Sequence, residues 1–390
     1  MKKNIIKKIF IKISKILGYE IIDQNEFYSP TLEKSVDENL SNLNKSIVLP
    51  LGEVKLTRKI NSILILFRTN TNVEIWDQNK KRIFEFPKIE YVLRSLNSLI
   101  KSINYLKEKN NNIEIKLKII DDNSKNENLI KIKEIIKKTI SSVEIINHKN
   151  DVHKELIKKQ SSDETFANLS SLLKCFEIGK NEGKDLVFFV EDDYIHFESA
   201  LEEMVSSYER VSSQINKELV VCPVDYPYLY MDNEKTNLLI GSKRHWRTNS
   251  KTLCTFLISH KFIERYWDNL YNNCLDRHDP FEKYLNKIYE KELCISPVKS
   301  LSIHMTNVNS SYGLSPFINY KSLWEENDYA NIVYCTIKTI KNINSLKCEK
   351  EILLMDNSHT WPEVELPNVR VIKGWQALPL KELEKIPEYM

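Results

Sequence analysis

The chain has 390 residues, 42% of them hydrophobic and 28% charged, which is globular composition for two or three domains and excludes disorder as the main state. Lys and Arg number 57 against 54 Asp and Glu, a formal net charge of +3, so no global basic footprint for nucleic acid is present. Glycine occurs only 7 times where ~7% of residues is usual, and neither G-x-x-x-x-G-K-[ST] nor G-x-G-x-x-G is found, which excludes those glycine-built phosphate cradles.

Residues 1–18 place Ile5, Ile6, Ile9, Ile13, Ile16 and Leu17 at helical spacing, with lysines between them and Gly18 at the end. This pattern predicts a basic amphipathic helix. Lysines interrupt every apolar stretch, so it does not read as a secretory signal. An anionic membrane surface and a protein partner are equally good destinations for its apolar stripe. Residues 19–60 read as a linker or arm, with Ser29-Pro30 and Leu49-Pro50 as breakers. The continuous apolar run at residues 62–68 predicts a buried parallel strand. A helix is expected over 92–109, a strand over 113–120 ending in Asp121-Asp122-Asn123-Ser124, a helix over 129–140 and a short strand over 143–147. A helix with Asp163 as N-cap follows over 163–180, then a strand over 186–190 that runs into Glu191-Asp192-Asp193. Beyond it the pattern predicts a helix at 198–211, strands at 219–223 and 252–259, a helix at 281–291 and a strand-like piece at 301–305 carrying His304. The alternation predicts an α/β fold whose mostly parallel sheet is covered on both faces. From Ala330 a new pattern begins, with strands at 332–337, 351–355 and 369–372. Asp356-Asn357-Ser358 after the second of these weakly echoes Asp121–Ser124, as in a partial internal repeat. The seven cysteines form no C-x-x-C, which reads as scattered reduced thiols. No apolar run approaches the ~18–20 residues that span a bilayer.

Two acidic clusters fall at carboxyl ends of strands, where open α/β sheets form their ligand crevice. Adjacent carboxylates repel, and an apolar strand end desolvates them. A hard divalent cation relieves both costs and keeps positions open for phosphate oxygens. Glu191 and Asp193, two apart in an extended segment, point the same way and can share one ion. Asp121 and Asp122 can accept from a pyrimidine imide or a ribose hydroxyl; Asn123 and Ser124 can equally cap the next helix. Arg68 points into the same crevice from the first strand. Lys243-Arg244-His245-Trp246-Arg247 and Lys251 read either as a clamp on diphosphate or sugar or as a solvated loop anchored by Trp246.

These residues resemble the family 2 glycosyltransferases. Asp121-Asp122-Asn123-Ser124 is similar to that family's nucleotide-binding D-D-x-S segment, Asn168 to its recurrent Asn, and Glu191-Asp192-Asp193 to its metal motif. The resemblance spans residues 62–307 in order and spacing. It implies a GT-A type Rossmann-like sandwich over 61–329, with the helix of 1–18, the arm of 19–60 and a small α/β appendage of 330–390. It also implies a nucleotide-sugar donor and Mn²⁺ or Mg²⁺. On the same basis Asp121 and Asp122 would hold the nucleoside, Glu191 and Asp193 the metal and diphosphate with Asp192 beside them, and His304 would complete the metal site. A general base is expected before a helix beyond the metal motif, where Asp279 comes first, Glu282 second and Asp276 third. The implied activity is sugar transfer with inversion to a glycan or lipid-linked acceptor in surface glycan biosynthesis, with no nucleic acid involved and with residues 1–18 on the inner face of the membrane. Two alternatives share the residues: a nucleotidyl- or phosphotransferase, which usually carries a Gly- or Lys/Arg-rich loop where this chain has Arg68-Thr69-Asn70-Thr71-Asn72, and a catalytically inactive membrane-associated scaffold.

Overall fold

The computed structural model describes residues 5–19, 55–72, 82–160, 162–231, 236–306 and 310–329, with three short strands beyond residue 350. After helix α1 (Ile5–Ile16) the described order is β1 (Ser62–Thr69), α2 (Lys88–Lys109), β2 (Glu114–Asp122), α3 (Asn126–Ile136), β3 (Ser142–His148), α4 (Asp163–Glu182), β4 (Leu186–Glu191), β5 (Tyr194–His196) and α5 (Ala200–Ile215). It continues with β6 (Val220–Val221), β7 (Leu238–Ile240), β8 (His245–Thr248), β9 (Phe256–Ser259), α6 (His260–Arg265), α7 (Trp267–Cys274), α8 (Lys283–Tyr289), β10 (Cys294–Pro297), β11 (Ser302–His304) and α9 (Tyr320–Glu326).

Nine strands form one sheet in the order β3-β2-β1-β4-β9-β6-β10-β8-β7. The pairings of β1 with β2 and β4, of β2 with β3 and of β6 with β10 are parallel. Only β9 and β8 run against the rest, so the sheet is mostly parallel. β1 supplies the centre of the core because both its faces are covered. Ile63, Ile65 and Phe67 pack toward α2, α3 and α5, while Leu64 and Leu66 pack toward α4, α6, α7 and α8. Burying each such side chain is worth about 1.5–3 kcal/mol. The period of 2 then sends Arg68 to the α4 face and Thr69 to the α2 face. A separate two-stranded ribbon pairs β5 with β11 and brings His304 opposite Tyr194.

Several boundaries differ from the sequence pattern. α2 begins at Lys88 rather than Val92, since Pro87 in extended backbone starts it before its apolar stripe becomes regular. α4 is capped by Ser162, whose hydroxyl accepts from Thr165 N–H at 3.2 Å, and Asp163 is its first residue. Residues 260–274 form α6 and α7, which the pattern did not announce. Residues 245–248 are a strand, neither a clamp nor a solvated loop. Trp246 is fully buried against Gly241, where a Cβ would come within 2.2 Å of the indole Nε1. Arg247 is buried on Asp225. The described cysteines Cys175, Cys222, Cys254, Cys274 and Cys294 are free and buried, as scattered reduced thiols should be; Cys335 and Cys348 lie outside the described residues.

Of the arm expected over 19–60, residues 20–54 also lie outside them, as does the strand expected at 332–337. In the tail, β12 (Ile352–Leu354) and β13 (Arg370–Ile372) match the expectation, and β14 (Trp375–Leu378) pairs antiparallel with both. β2 and β3, by contrast, are direct parallel neighbours, so the echo of Asp121–Ser124 does not extend to strand pairing.

Two buried histidines set an acid limit on this fold. Burial, helped by His153 near His148, holds His148 down to about 4, and burial alone holds His196 down to about 3. Both ionise near 6.5 when unfolded. The unfolded state therefore takes up protons first, and stability present above that value is lost as pH falls through 6.5 toward 4. In urea titrations the unfolding midpoint should drop between pH 7 and pH 5, and His148→Gln should lose less over that interval than the parent.

Candidate active site

The order β3-β2-β1-β4 reverses direction between β1 and its two parallel neighbours, and ligands of such sheets bind beyond the strand ends at that point. A crevice of about 330 Å³ opens there. Arg68, Asp122, Asn168, Glu191, Asp192, Asp193 and His304, all singled out from the sequence, line it together.

Strand alternation decides where each acidic side chain goes. Glu191 sits level with Arg68 in the parallel register of β1 and β4, and both project to the α4 face. Arg68 Nη2 meets Glu191 Oε1 at 2.6 Å, while Nη1 donates to the Asn168 carbonyl at 3.1 Å and to the Asn168 side chain. Burial pushes the Glu191 carboxyl above its ordinary range, and Arg68 only partly offsets this. Asp192 turns to the opposite face. Its Oδ2 accepts from Thr69 Oγ1 at 2.9 Å and from Asn70 N–H at 3.1 Å, and its Oδ1 meets Lys88.

Asp193 lies in the turn between β4 and β5 and faces His304 Nε2 at 3.3 Å. Burial alone would raise Asp193, but the imidazolium outweighs it and holds the carboxyl well below its ordinary range. The reciprocal effect raises His304 against its own burial. His304 Nδ1 donates to the Tyr312 carbonyl at 2.8 Å, and the Tyr194 ring stacks on the imidazole at 4.6 Å. Only when His304 gives up its Nε2 proton, with Nδ1–H still on the carbonyl, does Nε2 offer a lone pair, the arrangement seen in metal-binding histidines. Among the described residues no three His, Cys, Asp or Glu side chains converge as a ready cage. Asp193 and His304 are two groups that could hold an ion, one that completes its shell with water and phosphate. The turn at Asp192 breaks the extended geometry that would have put Glu191 and Asp193 side by side.

The Asp121–Ser124 segment is a closed turn, with Asn123 at φ 59°. Asp121 Oδ2 accepts from Ser124 N–H at 3.1 Å, and Ser124 Oγ accepts from Thr71 N–H at 3.0 Å. Neither Asn123 nor Ser124 caps α3, whose N-cap is Lys125. Asp122 reaches the crevice and accepts from Asn70 Nδ2 at 3.0 Å. Asp121 stays behind it, 1% exposed. The Asn70 and Thr71 amides are thus spent on Asp192 and Ser124, which leaves this loop poorly suited to cradle a triphosphate.

The three candidate bases separate clearly. Asp279 precedes a cis proline and is exposed. Asp276 pairs with Lys158 at 2.9 Å near the surface. Glu282, at the N-cap of α8, is half-buried; burial and then the charge of Glu191 push its carboxyl up to about 8. The sequence reading missed Arg82, Lys88, Tyr91 and Glu164, which also line the crevice. Lys88 was hidden because the helix was started too late; Arg82 follows a segment with no periodicity.

No protein-family model matches the chain, and no curated protein matches it in sequence. Among solved structures, the glycosyltransferase GlyE of Streptococcus pneumoniae TIGR4 aligns at 10% identity over 73% of this chain and 65% of its own, with a TM-score of 0.37. The galactosyltransferase LgtC, solved with donor and acceptor sugar analogs, aligns at 11% identity over 58% of this chain and 70% of its own, with a TM-score of 0.31. A UDP-glucose pyrophosphorylase complexed with UDP-glucose aligns at 11% identity over 71% of this chain and 99% of its own, with a TM-score of 0.32.

Removing one partner of a buried ion pair strands the other charge. Arg68→Met should destabilise the fold by about 3–5 kcal/mol, and adding Glu191→Gln should restore most of it. Urea unfolding of the two variants checks this.

Proposed function

We propose that the crevice is the donor site of a metal-assisted glycosyltransferase. The observation that carries this reading is the Asp193–His304 pair, oriented by the Tyr312 carbonyl and lining one crevice with Asp122 at the strand switch point. The donor is a nucleotide-sugar and the ion is Mg²⁺ or Mn²⁺. Asp193 and His304 would hold the ion with Glu191 beside them, and when bound it supplies positive charge against the diphosphate. Asp122 accepts from the nucleoside, with Asp121 fixing the turn behind it. Asn168 holds Arg68 in place.

In the transfer step the acceptor hydroxyl oxygen forms the new bond to the sugar's anomeric carbon. The bond from that carbon to the phosphate oxygen breaks, and its electron pair leaves with the nucleoside diphosphate. The hydroxyl proton passes to a carboxylate. We assign this role to Glu282, which burial and the charge of Glu191 make a strong base once ionised, a form that grows as pH rises toward about 8. Attack from the face opposite the leaving group inverts the anomeric centre. The acceptor is a hydroxyl of a glycan or of a lipid-linked precursor in surface glycan biosynthesis. The start of the β1–α2 loop, where the Asn70 and Thr71 amides are already spent, supports this reading over a nucleotidyl- or phosphotransferase.

The N-terminal helix supports a place on the inner, cytoplasmic face of a membrane. Its Ile9, Phe10, Ile13, Ile16 and Leu17 are exposed, and lysines flank them. Among the described residues no helix is long and apolar enough to cross a membrane. A basic amphipathic helix instead lies in the interface of an anionic bilayer.

Three outcomes follow from this reading. Asp193→Ala should abolish release of nucleoside diphosphate from donor while circular dichroism and the thermal midpoint persist; full activity of this variant in chelator would contradict the proposal. A chain lacking residues 1–18 should no longer float with vesicles containing phosphatidylglycerol, and unchanged flotation would remove the membrane assignment. For Glu282 the sign runs toward acid: a carboxyl at about 8 when folded and near 4.5 when unfolded keeps its proton in the folded state, so stability falls as pH rises from 4.5 through 8. Glu282→Gln, which imitates the protonated form, should therefore gain stability over the parent steadily from pH 5 to pH 8.5 while losing transfer.

A further inference from the structure

One wall of the crevice is not accounted for by the acidic strand ends. It is built by residues 82–88 and Tyr91 of α2. The Tyr91 hydroxyl accepts from Phe84 N–H at 2.8 Å and donates to the Phe84 carbonyl at 2.9 Å, which pins the segment to the helix. Trp324 of α9 backs it, with the Phe84 ring at 4.7 Å and the Phe86 ring stacked at 5.9 Å and 20°. The Arg94 guanidinium lies 4.6 Å from the Trp324 ring and donates to the Trp324 carbonyl at 2.7 Å, fixing α9 in turn. Arg82, at one end of this clamped segment, lies over the Tyr91 ring at 5.2 Å; Lys88, at the other, reaches Asp192. Both line the crevice.

We infer that Arg82 and Lys88 form a cationic clamp for the diphosphate of the donor, in the crevice that Asp193 and His304 also line; this rests on the donor-site reading above. Charge requires such a wall. Asp122, Glu164, Glu191, Asp192 and Asp193 all line the crevice, and Arg68 is already committed to Glu191 and Asn168. A diphosphate entering among five carboxylates is repelled unless further cations meet it. One divalent ion offsets only part of that field. Lys88 can turn from Asp192 to a phosphoryl oxygen at low cost, because Asp192 keeps its hydrogen bonds from Thr69 and Asn70. Arg82 presents a planar fork suited to two oxygens. Two cations mounted on one rigid segment match two linked phosphoryl groups better than one.

Titration calorimetry of the full chain with UDP, GDP and dTDP and the matching monophosphates, with and without Mn²⁺, tests this. The parent should bind at least one diphosphate. Lys88→Met should weaken that diphosphate by about ten- to hundredfold, the scale of one lost charge-assisted hydrogen bond. The matching monophosphate should weaken far less, and Lys88→Arg should restore most of the diphosphate affinity. A merely structural lysine would lower the thermal midpoint without changing the ratio of diphosphate to monophosphate affinity. Should Lys88→Met fail to fold, Arg82→Gln reads the same ratio. Parent binding with both variants unchanged in that ratio overturns the clamp alone. A parent that binds none of the diphosphates overturns the donor site and the clamp with it.

Discussion

Three consecutive carboxylates at the end of a buried strand cannot be held without compensation, and the architecture around the crevice supplies it. Glu191 is met by Arg68 from the neighbouring strand, Asp192 by Lys88 from the first turn of α2, and Asp193 by His304 from the β5–β11 ribbon. Each cation comes from a different element, so the charge pattern ties the parallel half of the sheet, the helix layer over it and the ribbon beyond it into one site. Desolvation would otherwise drive these groups to neutrality. The pairing holds Asp193 well below its ordinary range, offsets part of the rise at Glu191 and aims all three side chains.

The supports behind these cations are as specific as the pairs. Asn168 and Ser171 of α4 hold Arg68 from below. The Tyr312 carbonyl and the Tyr194 ring fix His304. Trp324, clamped by Arg94, backs the segment that leads to Lys88. Residues far apart in the chain thus converge by packing, and the crevice inherits the rigidity of the sheet rather than that of a loop.

Much of this was legible in the sequence because parallel strands announce themselves as unbroken apolar runs. Residues 62–68 and 186–190 located β1 and β4 to within a residue, and the polar residues that follow each run fell at the crevice as topology requires. His304 was legible only through resemblance, since one histidine on a three-residue strand carries no periodic signal. Lys88, Arg82 and Tyr91 were not legible. Their wall depends on an aromatic contact between residues some 240 positions apart in sequence, which no local pattern encodes. Trp246 misled for the opposite reason: a basic, aromatic pentapeptide resembles a binding loop, yet its short strand is buried in the sheet between β7, its neighbour in the chain, and β10, some fifty residues on. The sequence order of Asp279 before Glu282 carries no information on burial, which only the packing of α8 against the α4 face sets.

The account stands on the crevice binding a nucleoside diphosphate together with a divalent ion. The most direct test is thermal unfolding of the full chain against UDP, GDP, CMP and dTDP and their sugars, with and without Mn²⁺, since a ligand that binds only the folded state raises the midpoint by mass action. The account predicts a rise for one nucleotide that depends on Mn²⁺ and vanishes in Asp193→Ala. No rise for any nucleotide, or a rise that survives in Asp193→Ala, would contradict it.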